Sequence, residues 1–117
     1  MITAVVALLK TGSIKNVVPF GSASAGIPYV VVKPEQAPGG RRFRIIAHYA
    51  AGQQIYLEAY IRDEVVTLLD KQLLTSRNGN HNRLELEDEY LDITVGNDDS
   101  TISMERCFLL PSPPKTF

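Results

Sequence analysis

One stretch of this chain restricts its folding more than any other. From Gln53 to Leu74 apolar residues return at helical spacing, with Leu57, Ile61, Val65, Leu68 and Leu69 on one stripe. Glu58, Arg62, Asp63, Asp70 and Lys71 fall mostly off that stripe, and Tyr56 and Tyr60 flank it. The spacing predicts one long amphipathic helix, with Glu58 and Arg62 in the favourable i,i+4 order for an ion pair. Extended segments stand on both sides: Tyr29–Lys33 and Arg42–Ala50 before it, Arg83–Val95 and Thr101–Leu110 after it. A helix set into a mainly antiparallel sheet is an α+β layout in which the helix covers one sheet face. We expect four or five strands, one long helix packed on a face and a short N-terminal helix. They would form a single domain over residues 1–110, followed by a proline-rich tail at 111–117.

The smaller segments follow local rules. Ile2–Lys10 places Ile2, Val5, Val6 and Leu9 at helical spacing, and Thr11-Gly12 predicts a glycine C-cap. Asn16–Phe20 reads as an edge strand and Gly21–Pro28 as a loop. Tyr29-Val30-Val31-Val32-Lys33 is β-branched and almost wholly apolar, the pattern of a strand buried on both faces, closed by Pro34. Glu35–Gly40 predicts a turn or hairpin tip. Beyond it, alternation puts Phe43, Ile45, Ala47 and Tyr49 on one face of a strand and Arg42, Arg44, Ile46 and His48 on the other. Arg41 is expected beside Arg42 and Arg44. Thr75–Asn82 is polar with a central Asn-Gly and predicts a loop, and Gly96–Ser100 predicts the turn between the last two strands.

Composition excludes several classes. A chain of 117 residues with 44% hydrophobic and 21% charged residues can bury one core without staples. Cys107 is the one cysteine, so no intrachain disulfide forms, which fits a reducing compartment or a redox-indifferent particle. The apolar N-terminus lacks a preceding basic region and is shorter than the ~20 residues of a membrane span, so we expect no signal peptide and no membrane. Net charge is −1, yet residues 1–50 carry six Lys/Arg against Glu35 alone, while residues 51–117 carry six against twelve Asp/Glu. Such polarity makes a head-to-tail contact between copies electrostatically reasonable.

No catalytic, metal or nucleotide motif is written on this scaffold, and we expect no enzyme and no cofactor. His48, His81 and Cys107 are too few and too scattered for a zinc site, which needs three or four matched ligands. Cys107 lies in an apolar strand with no base nearby in sequence and reads as a buried, inert thiol. Glu85, Glu87, Asp88, Glu89 and Asp92, with Asp98 and Asp99, lack calcium-loop spacing and read as solvated edge charges that discourage strand pairing. Ser22–Gly26 is Gly/Ser-rich but matches neither phosphate-binding glycine pattern. Arg41, Arg42 and Arg44 form the one basic cluster. Contact with DNA passing through a pore, or with an acidic partner, stays open there beside the plain reading of a solvated hairpin.

The order of elements carries a resemblance. A helix (Ile2–Lys10) precedes Pro28-Tyr29-Val30-Val31-Val32. A strand Arg42–Tyr49 then runs into Tyr49-Ala50-Ala51-Gly52 and the 53–74 helix, and the acidic Leu86-Glu87-Asp88-Glu89 strand and a closing strand follow. This layout resembles the tail-terminator, or tail-completion, proteins of long-tailed bacteriophages over about residues 2–110; the short first helix and proline-rich tail depart from it. The resemblance implies a non-enzymatic virion protein, assembled in the host cytoplasm. It would form a homohexameric ring that caps the tail tube and joins it to the head-side connector protein, with DNA passing through the lumen. A head-completion or stopper protein of the same neck is the neighbouring alternative, and a small domain gripping an acidic ligand through Arg41–Arg44 is the other. For the ring, we expect Arg41, Arg42 and Arg44 to lie at a subunit, tail-tube or lumen surface, with Asp98 and Asp99 as the feature that a neighbouring copy can offer them.

Overall fold

The computed structural model describes residues 2–22, 26–75, 81–87 and 92–112, with the backbone alone at His81. The expected readings at Ala23–Ala25, Asn78-Gly79, Asp88, Glu89, Pro113 and Pro114 lie outside these residues. In chain order the elements are α1 (Ile2–Lys10), β1 (Val17–Pro19), β2 (Tyr29–Ala37), β3 (Gly40–Ala50), α2 (Gln54–Ala59), a π-helical turn (Tyr60–Glu64) and α3 (Val65–Leu69). Then come β4 (Leu73–Thr75), β5 (His81–Arg83), β6 (Glu85–Leu86), β7 (Thr94–Val95) and β8 (Thr101–Pro111). The fold is α+β, with a mainly antiparallel six-stranded sheet ordered β1-β2-β3-β8-β6, β7 also pairing β8, and β4-β5 forming a separate pair. Only β1 runs parallel to its neighbour. Among the described residues no helix is long and apolar enough to cross a membrane.

The sheet is built outward from β3, whose alternation is the one the sequence shows. Phe43, Ile45, Ala47 and Tyr49 are buried, and the core they enter joins Val30 and Val32 of β2 to Ile102, Met104, Phe108 and Leu110 of β8. Helix α1 inserts Val5 and Leu9 from the same side, and the middle helix inserts Leu57, Ile61, Val65 and Leu69. One face is thus covered by helices and the other is open. Strand β2 differs from expectation: Val31 is only half-buried, so the apolar run is buried on one face. Pro34 does not end this strand but pairs with Phe43. The carbonyl of Val32 accepts from Phe20 N at 2.9 Å, so the backbone polar groups of Val32 and Pro34 face the β1 side. Among the described residues no strand pairs with β2 on that side beyond Phe20, and a proline there breaks no ladder bond. The tip is confined to Pro38-Gly39, where Gly39 has φ 80° as the second central residue of a type II turn requires.

The long helix is shorter than expected. It covers residues 54–69 and is interrupted by the π turn. Leu57, Ile61, Val65 and Leu69 recur strictly every four residues, and in an α-helix each such step overshoots a turn by about 40°. Over three steps the stripe would drift by about 120° and leave the core. A π turn holds more residues per turn and takes up that drift. It also turns Tyr60 inward beside Ile61, so Tyr60 is buried rather than flanking, whereas Leu68 is half-buried. The Glu58–Arg62 pair straddles the altered turn and is not made; Glu58 instead accepts from Gln54 Nε2 at 3.4 Å. At the C-terminus Lys71 adopts φ 65°, and the chain leaves the helix to pair with Leu84, Lys71 N donating to Leu84 O at 2.8 Å and Leu84 N to Gln72 O at 2.9 Å. Leu73–Thr75 and His81–Arg83 then pair as strands where a loop was expected over Thr75–Asn82.

Two smaller corrections concern chain ends and glycine. Gly12 is not among the residues with positive φ; it is small because Glu64 and Leu68 approach it, each within 2.6 Å of where a Cβ would stand. Pro111 continues β8, and Ser112 N donates to Gly39 O at 2.8 Å, so the strand passes the expected start of the tail. Burial sets the expected cost of truncation. Ile61→Ala should lower unfolding free energy by about 2–5 kcal/mol in urea titration, and Leu68→Ala by less than half as much as Ile61→Ala. Equal losses at the two positions would mean that the π turn does not set the helix face.

Candidate interface

The open sheet face is where two of the three expected arginines, Arg42 and Arg44, lie. Arg42 and Arg44 point away from the helices because their neighbours in β3 are committed to the core. Arg42 donates from Nε and Nη2 to the two carboxylate oxygens of Glu87 at 2.8 and 3.0 Å. Arg44 donates from Nε and Nη2 to Glu35 at 3.0 and 3.3 Å and also pairs with Glu105. Glu35 stands across from Arg42 and diagonally between Lys33 and Arg44, with Lys33 Nζ at 3.9 Å. It therefore separates two cations that face each other directly in the β2–β3 register. The Arg44 hydrogen bond, followed by the charges of Arg44, Lys33 and Arg42, holds the Glu35 carboxyl below its ordinary value of 4.5. Glu87 in turn raises the Arg42 guanidinium above its ordinary range. Forked arginine–carboxylate pairs of this kind fix strand register.

This geometry divides the expected basic cluster. Arg42 and Arg44 are engaged by Glu35, Glu87 and Glu105 of their own chain. Arg41 has the opposite parity, is exposed at the end of the sheet, and has no ion-pair partner among the described residues. Asp98 and Asp99 lie at the other end. Asp98 Oδ1 accepts from Ser100 N at 3.1 Å, and bonding to Ser100 holds its carboxyl below the ordinary value. Asp99 takes φ 59°, and Ser100 O accepts from Ala51 N at 2.9 Å, which ties this turn to the end of β3. Arg41 and Ala50 are nine steps apart on one strand, about 30 Å at ~3.3 Å per residue. The two groups occupy opposite poles of the molecule and cannot meet within one chain.

A second feature was not legible in the sequence. Where the helix crosses the end of β3, a cleft of about 430 Å³ opens between Ser13, Tyr49, Tyr56, Tyr60, Asp63 and Glu64. Glu64 is held in place by Ser13, whose backbone N and Oγ both donate to it at 2.8 Å. The close approach at Gly12 permits this contact. The Tyr49 and Tyr60 rings lie 6.4 Å apart and tilted by 51°. Burial, then the nearby Glu64 charge, pushes both phenols above their ordinary value of 10. The Tyr60 hydroxyl is buried at the cleft wall and has no hydrogen-bond partner among the described residues. Only the strict four-residue repeat hinted at the π turn that sends Tyr60 inward.

The remaining candidates stay separate. His48 stacks on Tyr29 across the β2–β3 pair with ring centroids 4.5 Å apart, and burial lowers its pKa from the ordinary 6.5. Cys107 is buried in β8. Among the described residues no three His, Cys, Asp or Glu side chains gather as a metal ion would need. No protein-family model, curated protein or solved structure matches this chain.

Two pH windows follow from the shifted groups. Both folded-state pKa values are depressed, so each contribution is complete above the unfolded value and is lost as pH falls through the folded one. Stability should decline first below 6.5 as His48 protonates, and again below 4.5 as Glu35 does. Arg44→Gln should raise the Glu35 titration midpoint, read by side-chain carboxyl NMR, and leave the His48 step unchanged. An unmoved Glu35 midpoint would refute the charge ladder.

Proposed function

We propose that this chain is a structural, non-catalytic virion protein of a long-tailed bacteriophage, a tail terminator that closes into a homo-oligomeric ring at the neck. The observation that carries the reading is the placement of charge. Arg41, with no ion pair among the described residues, lies at one pole of the longest strand pair, and an acidic end that holds Asp63, Glu64 and the Asp98–Asp99 turn lies at the other. A subunit with complementary opposite ends makes heterologous contacts, which build a ring when the rotation closes. The resemblance of the sequence to the tail-terminator family supports six as the ring number. It also supports the tail tube and the head-side connector as partners and DNA as the passing cargo. A stopper protein of the same neck would use the same ring with a different docking face. Gripping an acidic ligand through Arg41, Arg42 and Arg44 together is disfavoured, because Arg42 and Arg44 would have to leave Glu87 and Glu35.

Negative-stain imaging and mass photometry of the full chain test this reading. Rings with a central opening, alone or on tail tubes, are the expected result. A protein that remains monomeric in both settings ends the proposal. Reversing all three arginines would break the charge ladder within each subunit, so Arg41 is the position at which assembly is separable from folding.

A further inference from the structure

We propose that the Tyr49–Tyr60–Glu64 cleft receives the guanidinium of Arg41 from a second copy of this chain; the inference rests on the homo-oligomeric reading above. The cleft is built for a cation. Asp63 and Glu64 supply negative charge, and Ser13 fixes Glu64. The exposed Tyr56 ring at the mouth of the cleft offers a face on which a guanidinium stacks. The buried Tyr60 oxygen lacks a partner among the described residues, and a guanidinium N–H would donate to it. Three features of one site thus ask for the same group.

Arg41 fits as the occupant. The neighbouring cations on the hairpin, Lys33, Arg42 and Arg44, already face carboxylates, and among the described residues Arg41 does not. It is exposed beside the Pro38-Gly39 turn at the end of the sheet, where its side chain can reach a neighbouring molecule. The chain's own Arg41 cannot reach its own cleft, because Tyr49 lies eight residues further along β3, about 26 Å away. The donor must therefore come from another subunit. Joining pole to pole, each copy gives one arginine and receives one, the heterologous contact that a ring requires. The cleft, rather than the Asp98–Asp99 turn, is the acceptor.

The experiment measures assembly of the full-length chain by light scattering after size exclusion. Arg41→Glu and Asp63→Arg, both at exposed positions, should each weaken association by roughly tenfold or more while leaving thermal melting unchanged. The double variant R41E/D63R should recover association. In a second measurement, R41C mixed with Y56C should form a covalent dimer under mild oxidation, and neither variant alone should do so. If the wild type assembles and R41E assembles equally well, the inference fails while the ring reading stands. Loss in both single variants without recovery in the double, or no mixed dimer, overturns it as well. A wild-type chain that stays monomeric at every concentration and on tail tubes removes the ring reading, and the inference with it.

Discussion

Everything in this molecule is referred to the pairing of β3 with β8. Eleven consecutive residues of each strand face each other, from Gly40 opposite Pro111 to Ala50 opposite Thr101. That register decides which side chains share the core, because a shift of one residue would move every one of them to the other face. It places Phe43, Ile45 and Ala47 beside Met104 and Phe108 under the helices. It also leaves Arg42 and Arg44 on the open face within reach of Glu87 and Glu105. Truncating this pair would remove both the floor on which the helices lie and the two poles that give the subunit a direction.

The helix is adapted to that floor at a local cost. A four-residue repeat does not match the period of an α-helix, and the π turn at Tyr60–Glu64 reconciles the two. The adjustment carries Ile61 and Tyr60 inward together and strands a buried phenolic oxygen. It also brings Glu64 against Ser13 and thereby ties the segment after α1 to the middle helix. The cleft is therefore a by-product of core packing that carries aromatic and acidic groups at one end of the sheet. π turns inside helices recur at functional positions.

Charge is distributed on two scales. The sequence is basic in its first half and acidic in its second, and the fold uses part of that division internally by setting β3 beside β8 and the Glu87 segment. Arg42 and Arg44 are consumed in this way. Among the described residues Arg41 is left without an ion pair at one end of the β3–β8 pair, and Asp63 and the Asp98–Asp99 turn are left so at the other. A sequence-level charge count cannot separate these two uses, since both draw on the same residues.

Several features were legible in the sequence because their causes are local. Helix α1, the alternation of β3, the Pro-Gly tip and the Gly96–Ser100 turn follow from periodicity and backbone preference over a few residues. The α+β class follows from their order. The errors fall where a distant segment prevails. The helix stops at Leu69 rather than Leu74 because Lys71 and Gln72 pair with Leu84, and Leu73–Thr75 pairs with His81–Arg83. Pro34 stays within β2 because only the third dimension shows that, among the described residues, no strand pairs with it on that side. Arg42 and Arg44 looked available because Glu87 and Glu105 are forty-five and sixty-one positions away, and because the expected turn over Glu35–Gly40 hid the pairing of Glu35, nine positions from Arg44, across the extended β2–β3 hairpin. The sequence by itself determined the elements and the apolar faces, through periodicities of a few residues. Only the tertiary structure decided which charges are spent, which phenol is stranded and which poles remain, because those outcomes depend on segments that meet only when the sheet closes.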